Sequence, residues 1–193
     1  MKFKKIVFYI LTGWFIFAPS VQAGDLPQVE LKTTLGSMVI ELEQEKAPVT
    51  VENFLKYVRS GYYDNLIFHR VSYQWIIQAG GYDKDFNEYE TMPPIKNEAK
   101  NGLKNVRGTI AMARTSEPDS ADSQFFINLY DNSSFDHKDD SWRGYGYCVF
   151  GRVVQGMEVA DAIGAVEKHE VENIGINVPI EPIIIVSARV IKE

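Results

Sequence analysis

Phe68-His69-Arg70-Val71 and Ser123-Gln124-Phe125-Phe126-Ile127 each set polar donors, His69 and Arg70 or Ser123 and Gln124, beside apolar and aromatic residues. Both are short, rich in aromatic and β-branched residues, and read as strands, Ile67 to Val71 and Gln124 to Leu129. Between and around them run Gln78-Ala79-Gly80-Gly81, Arg107-Gly108-Thr109-Ile110-Ala111-Met112-Ala113 and Val149-Phe150-Gly151. An arginine on such a strand ordinarily snorkels to solvent or pairs with a carboxylate. Its setting among the other strings is what marks Arg70 for chemistry.

Outward from these strings the pattern stays mainly β. Ser37 to Leu42 shows a clear period-two alternation after a Leu35-Gly36 turn, which predicts a half-buried strand. Pro48 and Thr50 open a helix with Val51, Phe54, Leu55 and Val58 on one face, and Gly61 is expected to stop it. Further strands are predicted at Ile76 to Ala79, Thr109 to Ala113, Val149 to Val154 and Ile183 to Ile191, with a second helix over Met157 to Ile163 ended by Gly164. Many short strands with two well-separated helices argue for a closed antiparallel barrel rather than a parallel sheet. No repeat or linker divides the chain, so residues 24–193 are expected to form one domain.

Composition narrows the function classes. The net charge of -6 without a basic run argues against nucleic acid as a partner. Lys2, Lys4 and Lys5, the apolar run Ile6 to Ala18 and Val21-Gln22-Ala23 have the form of a secretory signal peptide over residues 1–23, cleaved after Ala23. The apolar run falls short of the roughly 20 residues that span a bilayer, so no stable membrane insertion is expected after cleavage. Cys148 is the single cysteine, which forbids an internal disulfide, and its strand-like surroundings suggest a buried thiol. His69 has no elbow-type Ser or Cys to serve, and a structural hydrogen bond beside Arg70 is the expectation for it. Asp136, His137, Asp139 and Asp140 lack calcium-loop or zinc spacing and read as a solvated loop, so no metal and no cofactor is expected.

Taken in order, the five strings resemble the signature of the cyclophilin family of peptidyl-prolyl cis-trans isomerases, most closely its bacterial periplasmic branch, from about Val29 to Ile191. The resemblance implies an eight-stranded barrel with a helix over each open end, a filled interior and a substrate groove on the outer surface. It makes Arg70 the catalytic residue, Gln78 and Gln124 the glutamines that hold it and the substrate backbone, and Ala113 part of the strand that receives the substrate. Trp75, Ile76, Phe126 and Phe135 correspond to the proline pocket, and Tyr147 takes the place of a groove histidine. Phe125 is left to the core. The chain departs from the family at Ala79, the first glycine of the usual string, and at Ser134, where an aromatic ring commonly lines the groove rim and contacts the inhibitor cyclosporin. The segment His137 to Gly146, carrying Trp142, is longer than in the bacterial branch and could fold that ring over the groove.

Rotation about an X-Pro bond faces a barrier of roughly 18 to 20 kcal/mol because the amide nitrogen shares its lone pair with the carbonyl. Neither a nucleophile nor a metal is needed. A fixed donor must favour the nitrogen lone pair once resonance is lost, and a dry slot must hold the ring. The expected protein is thus a periplasmic isomerase, a monomer acting on unfolded or Pro-containing polypeptides. The rivals are a groove-based chaperone or adaptor with incidental activity and, more remotely, a metal-dependent hydrolase built on the acidic loop.

Overall fold

The computed structural model describes residues 26–193; the signal peptide expected at the N-terminus lies outside the described residues. In chain order the elements are β1 (Gln28–Thr33), β2 (Gly36–Leu42), α1 (Pro48–Arg59), β3 (Leu66–Ser72), β4 (Ile76–Asp83), β5 (Thr109–Met112), β6 (Phe125–Asn128), β7 (Val149–Gln155), α2 (Met157–Ala165), β8 (Lys168–Val171), β9 (Gly175–Pro179) and β10 (Ile185–Lys192). Eight strands form one antiparallel sheet in the order β10-β1-β2-β7-β5-β6-β4-β3, and β8 pairs with β9 in a separate hairpin. That hairpin and β1 have no counterpart in the periodicity described above.

The sheet curls until its outer strands touch, but it is not closed by a continuous ladder. A single bridge joins Ile67 of β3 to Ile184, flanked by Asn65 N–H to Ile185 O at 2.8 Å and Phe68 N–H to Ile183 O at 3.0 Å. The expectation of a fully closed barrel is corrected to this corner seam. Pro182 offers no N–H just before it, and β10 turns away to pair with β1 over its whole length.

Inside the curl, alternation sends Val29, Leu31, Met38, Ile40, Leu42, Phe68, Ile77, Phe125 and Phe150 into a filled core. The helices cover opposite ends. Phe54 of α1 meets Phe125 and Phe150, the first and second residues of their strands, at ring distances of 5.6 and 5.2 Å. At the far end Gly164 packs so closely on Leu129, just past β6, that a Cβ there would clash. Gly164 therefore lies inside α2 rather than ending it; close approach, not chain reversal, is its use. Gly61 does follow α1 with φ of 73°, the left-handed conformation expected of a stop.

Candidate active site

A second, smaller apolar cluster lies on the outside of the sheet: Ile76, Ala111, Phe126 and Val149, with Trp75, Leu103, Ala113, Phe135 and Tyr147 packed against it. Strand alternation explains the split of the Phe125-Phe126 pair, the first ring facing the core and the second the outer cleft. Phe126, Phe135 and Tyr147 meet ring to ring at 5.6, 5.6 and 4.9 Å, and Trp75 reaches Phe135 at 5.8 Å. These rings form an apolar pocket open to solvent beside Arg70.

Arg70 is held by neutral partners. Its guanidinium lies 4.8 Å from the centre of the Trp75 ring, and Nη1 donates to Gln78 Oε1 at 3.4 Å. Gln78 Nε2 in turn donates to Gln124 Oε1 at 2.9 Å. The register explains the relay, because Arg70 pairs with Gln78 across β3 and β4, and Gln78 with Phe126 across β4 and β6. A slip between Phe68 and Arg70 in the β3–β4 ladder turns the arginine into the cleft. No carboxylate takes up the remaining Arg70 donors among the described residues, so a full positive charge faces the pocket.

Gly80 and Gly81 make room for this arrangement. A Cβ at Gly80, whose φ is 92°, would stand 2.7 Å from Ser123 O, and one at Gly81 would stand 2.7 Å from the Gln124 amide. Ala79, the departure from the usual string, points its side chain into the core and away from the cleft.

One cleft is lined by Arg70, Ile76, Gln78, Ala113, Phe126, Phe135 and Tyr147, joined by Arg114. Trp75 enters through its contacts with Arg70 and Phe135, and Gln124 through Gln78 and its carbonyl, which accepts Ala113 N–H at 2.9 Å. All nine residues singled out from the sequence thus converge. Arg114 was missed; a cation immediately after Ala113 was the available signal.

The neighbouring groups behave differently. His69 is buried against Tyr82, ring centres 4.9 Å apart; its Nδ1 has no hydrogen-bond partner among the described residues, while the ring interacts with the Ile67 backbone. Burial first, and the Arg70 charge second, push its pKa down to about 4, so the ring is neutral in use. Cys148 is buried as expected, with Thr50 Oγ1 at 3.4 Å, and burial raises its thiol to about 12. In the acidic loop Asp136 accepts from Asn105 N–H, Asp139 from Ser141 N–H, and His137 Nδ1 lies 2.9 Å from Tyr145 O. Trp142 is exposed and carries the Arg143 guanidinium 4.6 Å from its ring; it is not part of the cleft wall.

Residues 28–190 match the family model described as cyclophilin type peptidyl-prolyl cis-trans isomerase/CLD. The chain belongs to the cyclophilin-type peptidyl-prolyl cis-trans isomerases. It is 51% identical over 179 residues to peptidyl-prolyl cis-trans isomerase A of Dickeya dadantii, covering 92% of this chain and 91% of the relative. Peptidyl-prolyl cis-trans isomerase B of Escherichia coli is 49% identical over 162 residues, covering 84% and 98%. Among solved structures, a cyclophilin type peptidyl-prolyl cis-trans isomerase of Cryptosporidium parvum is similar at a TM-score of 0.71 and 25% identity, covering 87% of this cyclophilin and 99% of that chain.

Proposed function

We infer that this cyclophilin catalyses cis-trans rotation of X-Pro bonds in polypeptides, with Arg70 as its catalytic residue. The observation that carries the assignment is an unneutralised guanidinium, held by a glutamine relay and an indole face, at the mouth of an aromatic pocket. The proline ring enters among Phe126, Phe135 and Ile76 with the Trp75 ring at the rim. The Gln124 amide and the backbone at Ala113 receive the substrate chain. Arg70 donates to the proline side of the bond, favouring the localised nitrogen lone pair that exists only when the amide is twisted. Water excluded by the rings strengthens that donation.

A charged donor of this kind is worth about 1.5 to 3 kcal/mol, so Arg70→Ala should lower kcat/KM by roughly 10- to 100-fold. Peptide affinity should fall far less, because the contact strengthens in the transition state. A proline-peptide isomerisation assay with parallel calorimetric binding decides the matter. Activity surviving within about threefold would mean that the groove serves binding, as in an adaptor, and that the chemistry assigned to Arg70 is wrong.

Exported polypeptides passing through the periplasm are the clients this reading implies, with a monomer released by cleavage after Ala23. The Lys-rich start, apolar run and Ala-containing cleavage pattern support it, and among the described residues no helix is long and apolar enough to cross a membrane. Cell fractionation with N-terminal sequencing checks it: a mature chain starting at Gly24 is expected, and an uncleaved membrane-bound chain would overturn it.

A further inference from the structure

Arg114 makes more contacts than a surface arginine needs. Its Nε donates to Gly146 O at 2.9 Å, Nη1 to Thr115 O at 2.9 Å and Ser116 O at 3.2 Å, and Nη2 to Trp142 O at 3.1 Å. The guanidinium also lies 4.9 Å from the centre of the Tyr147 ring. One planar group therefore spans four carbonyls and an aromatic face. No carboxylate is among its partners within the described residues.

The two ends of this clamp are the two walls of the cleft. On one side Arg114 follows Ala113, whose N–H is tied to Gln124 O. On the other, Gly146 precedes Tyr147, whose N–H binds Phe135 O at 2.9 Å and whose ring packs on Phe135 and Phe126. Gly146 adopts φ of 80° with the backbone of residues 135–137 so close that a Cβ would not fit, and Asn97 Nδ2 reaches the same carbonyl at 3.2 Å. The two walls already meet where β5 pairs with β7, Met112 N–H donating to Cys148 O at 3.1 Å; the Arg114 clamp adds the link farther out, to the carbonyls of Trp142 and Gly146 in the long segment His137–Gly146.

Resting on the isomerase reading above, we propose that Arg114 is a positioning residue: it fixes the distance between the Ala113 wall and the Tyr147–Phe135 wall, and so sets how tightly the groove grips a peptide. The catalytic contact of Arg70 comes from β3 and is held by Gln78, independently of the clamp. The clamp therefore acts on substrate binding and leaves the rotation step largely alone. Lysine cannot replace it, because a single ammonium cannot reach four carbonyls fanned around a plane.

The test combines separate kcat and KM values for a proline peptide with amide exchange, on wild type, Arg114→Ala and Arg114→Lys well below their melting temperatures. Both variants should raise KM about tenfold with kcat within about threefold. Exchange at Trp142–Tyr147 should quicken while that of β3 and β4 stays as in wild type. Unchanged KM and exchange would overturn the proposal, as would a loss confined to kcat, which would make Arg114 part of the chemistry. Full recovery in Arg114→Lys would reduce it to a charge effect and also overturn it. If the alanine variant does not fold, Arg114→Gln, which keeps part of the stem and part of the donor set, takes its place with the same criteria. The exchange readout needs no turnover, so a wild-type protein without isomerase activity would reject the functional reading while still reporting on the clamp.

Discussion

At the residue scale, the same backbone dipeptide does two jobs. Phe125 fills the core against Phe54 and Tyr63, whereas Phe126 lines the cleft, so equal truncations should have unequal meanings. Phe126→Ala should cost about 3 to 5 kcal/mol of stability, as for other buried aromatics, and empty the pocket floor. Activity measured alongside a melting curve separates the two losses; a stable, fully active variant would place the pocket elsewhere. Ser134 is exposed in the short 3-10 turn Ser133–Phe135, and Trp142 does not cover the cleft in its stead. An aromatic anchor often carries about 2 kcal/mol of an interface's affinity, so cyclosporin should bind about thirtyfold more weakly here than to a Trp-bearing relative. Ser134→Trp should recover part of the difference in a direct titration; no gain would show that the rim at this position does not touch the inhibitor.

At the element scale, α1 starts without a local cap. Ala47 offers no side-chain acceptor, and Glu98 supplies one from a distant loop, its carboxylate accepting Val49 N–H at 3.2 Å, Thr50 N–H at 2.8 Å and Thr50 Oγ1–H at 2.7 Å. A carboxylate at a helix start satisfies orphan donors and meets the positive end of the dipole. Glu98→Ala should therefore cost about 1 to 2 kcal/mol, a melting temperature lower by several degrees, with kcat/KM unchanged. Pro48 and the apolar face of α1 were legible in the sequence because they are local. The cap was not, since nothing in Glu98's own neighbours points to a helix that starts some fifty positions earlier.

For the whole molecule, acid should be the sensitive direction. His69 is held neutral in the folded state with a pKa of about 4, below its ordinary 6.5, so between these values the unfolded chain binds the extra proton. Stability is then complete above about pH 6.5 and falls as pH drops towards 4, by roughly 2 kcal/mol between pH 7 and about 4.5. Asp64, lowered mainly by its hydrogen bonds from Arg189, ties the β3 side of the seam to β10; its contribution is present above the usual carboxylate range and is lost below it. Urea unfolding at several pH values should show a loss starting near pH 6.5 that His69→Phe flattens. An identical slope in that variant would assign the loss to other groups.

The sequence alone determined what repeats along the chain or sits inside an ordered motif: the alternation of β2, the face of α1, the Phe68–Val71 and Ser123–Ile127 strands and the donors within them. The tertiary structure decided what depends on elements far apart. The seam at Ile67 and Ile184 stays a corner because β10 is claimed by β1, and the glycine at 164 inside α2 answers the close approach of Leu129 from another element, which leaves no room for a Cβ. The β8–β9 hairpin carries polar residues between its apolar ones and leaves Ile176 exposed, so it has too little buried pattern to be seen in advance. Arg114 is the clearest case: its partners are backbone carbonyls, which every residue possesses, and only the folded chain can select which four it meets.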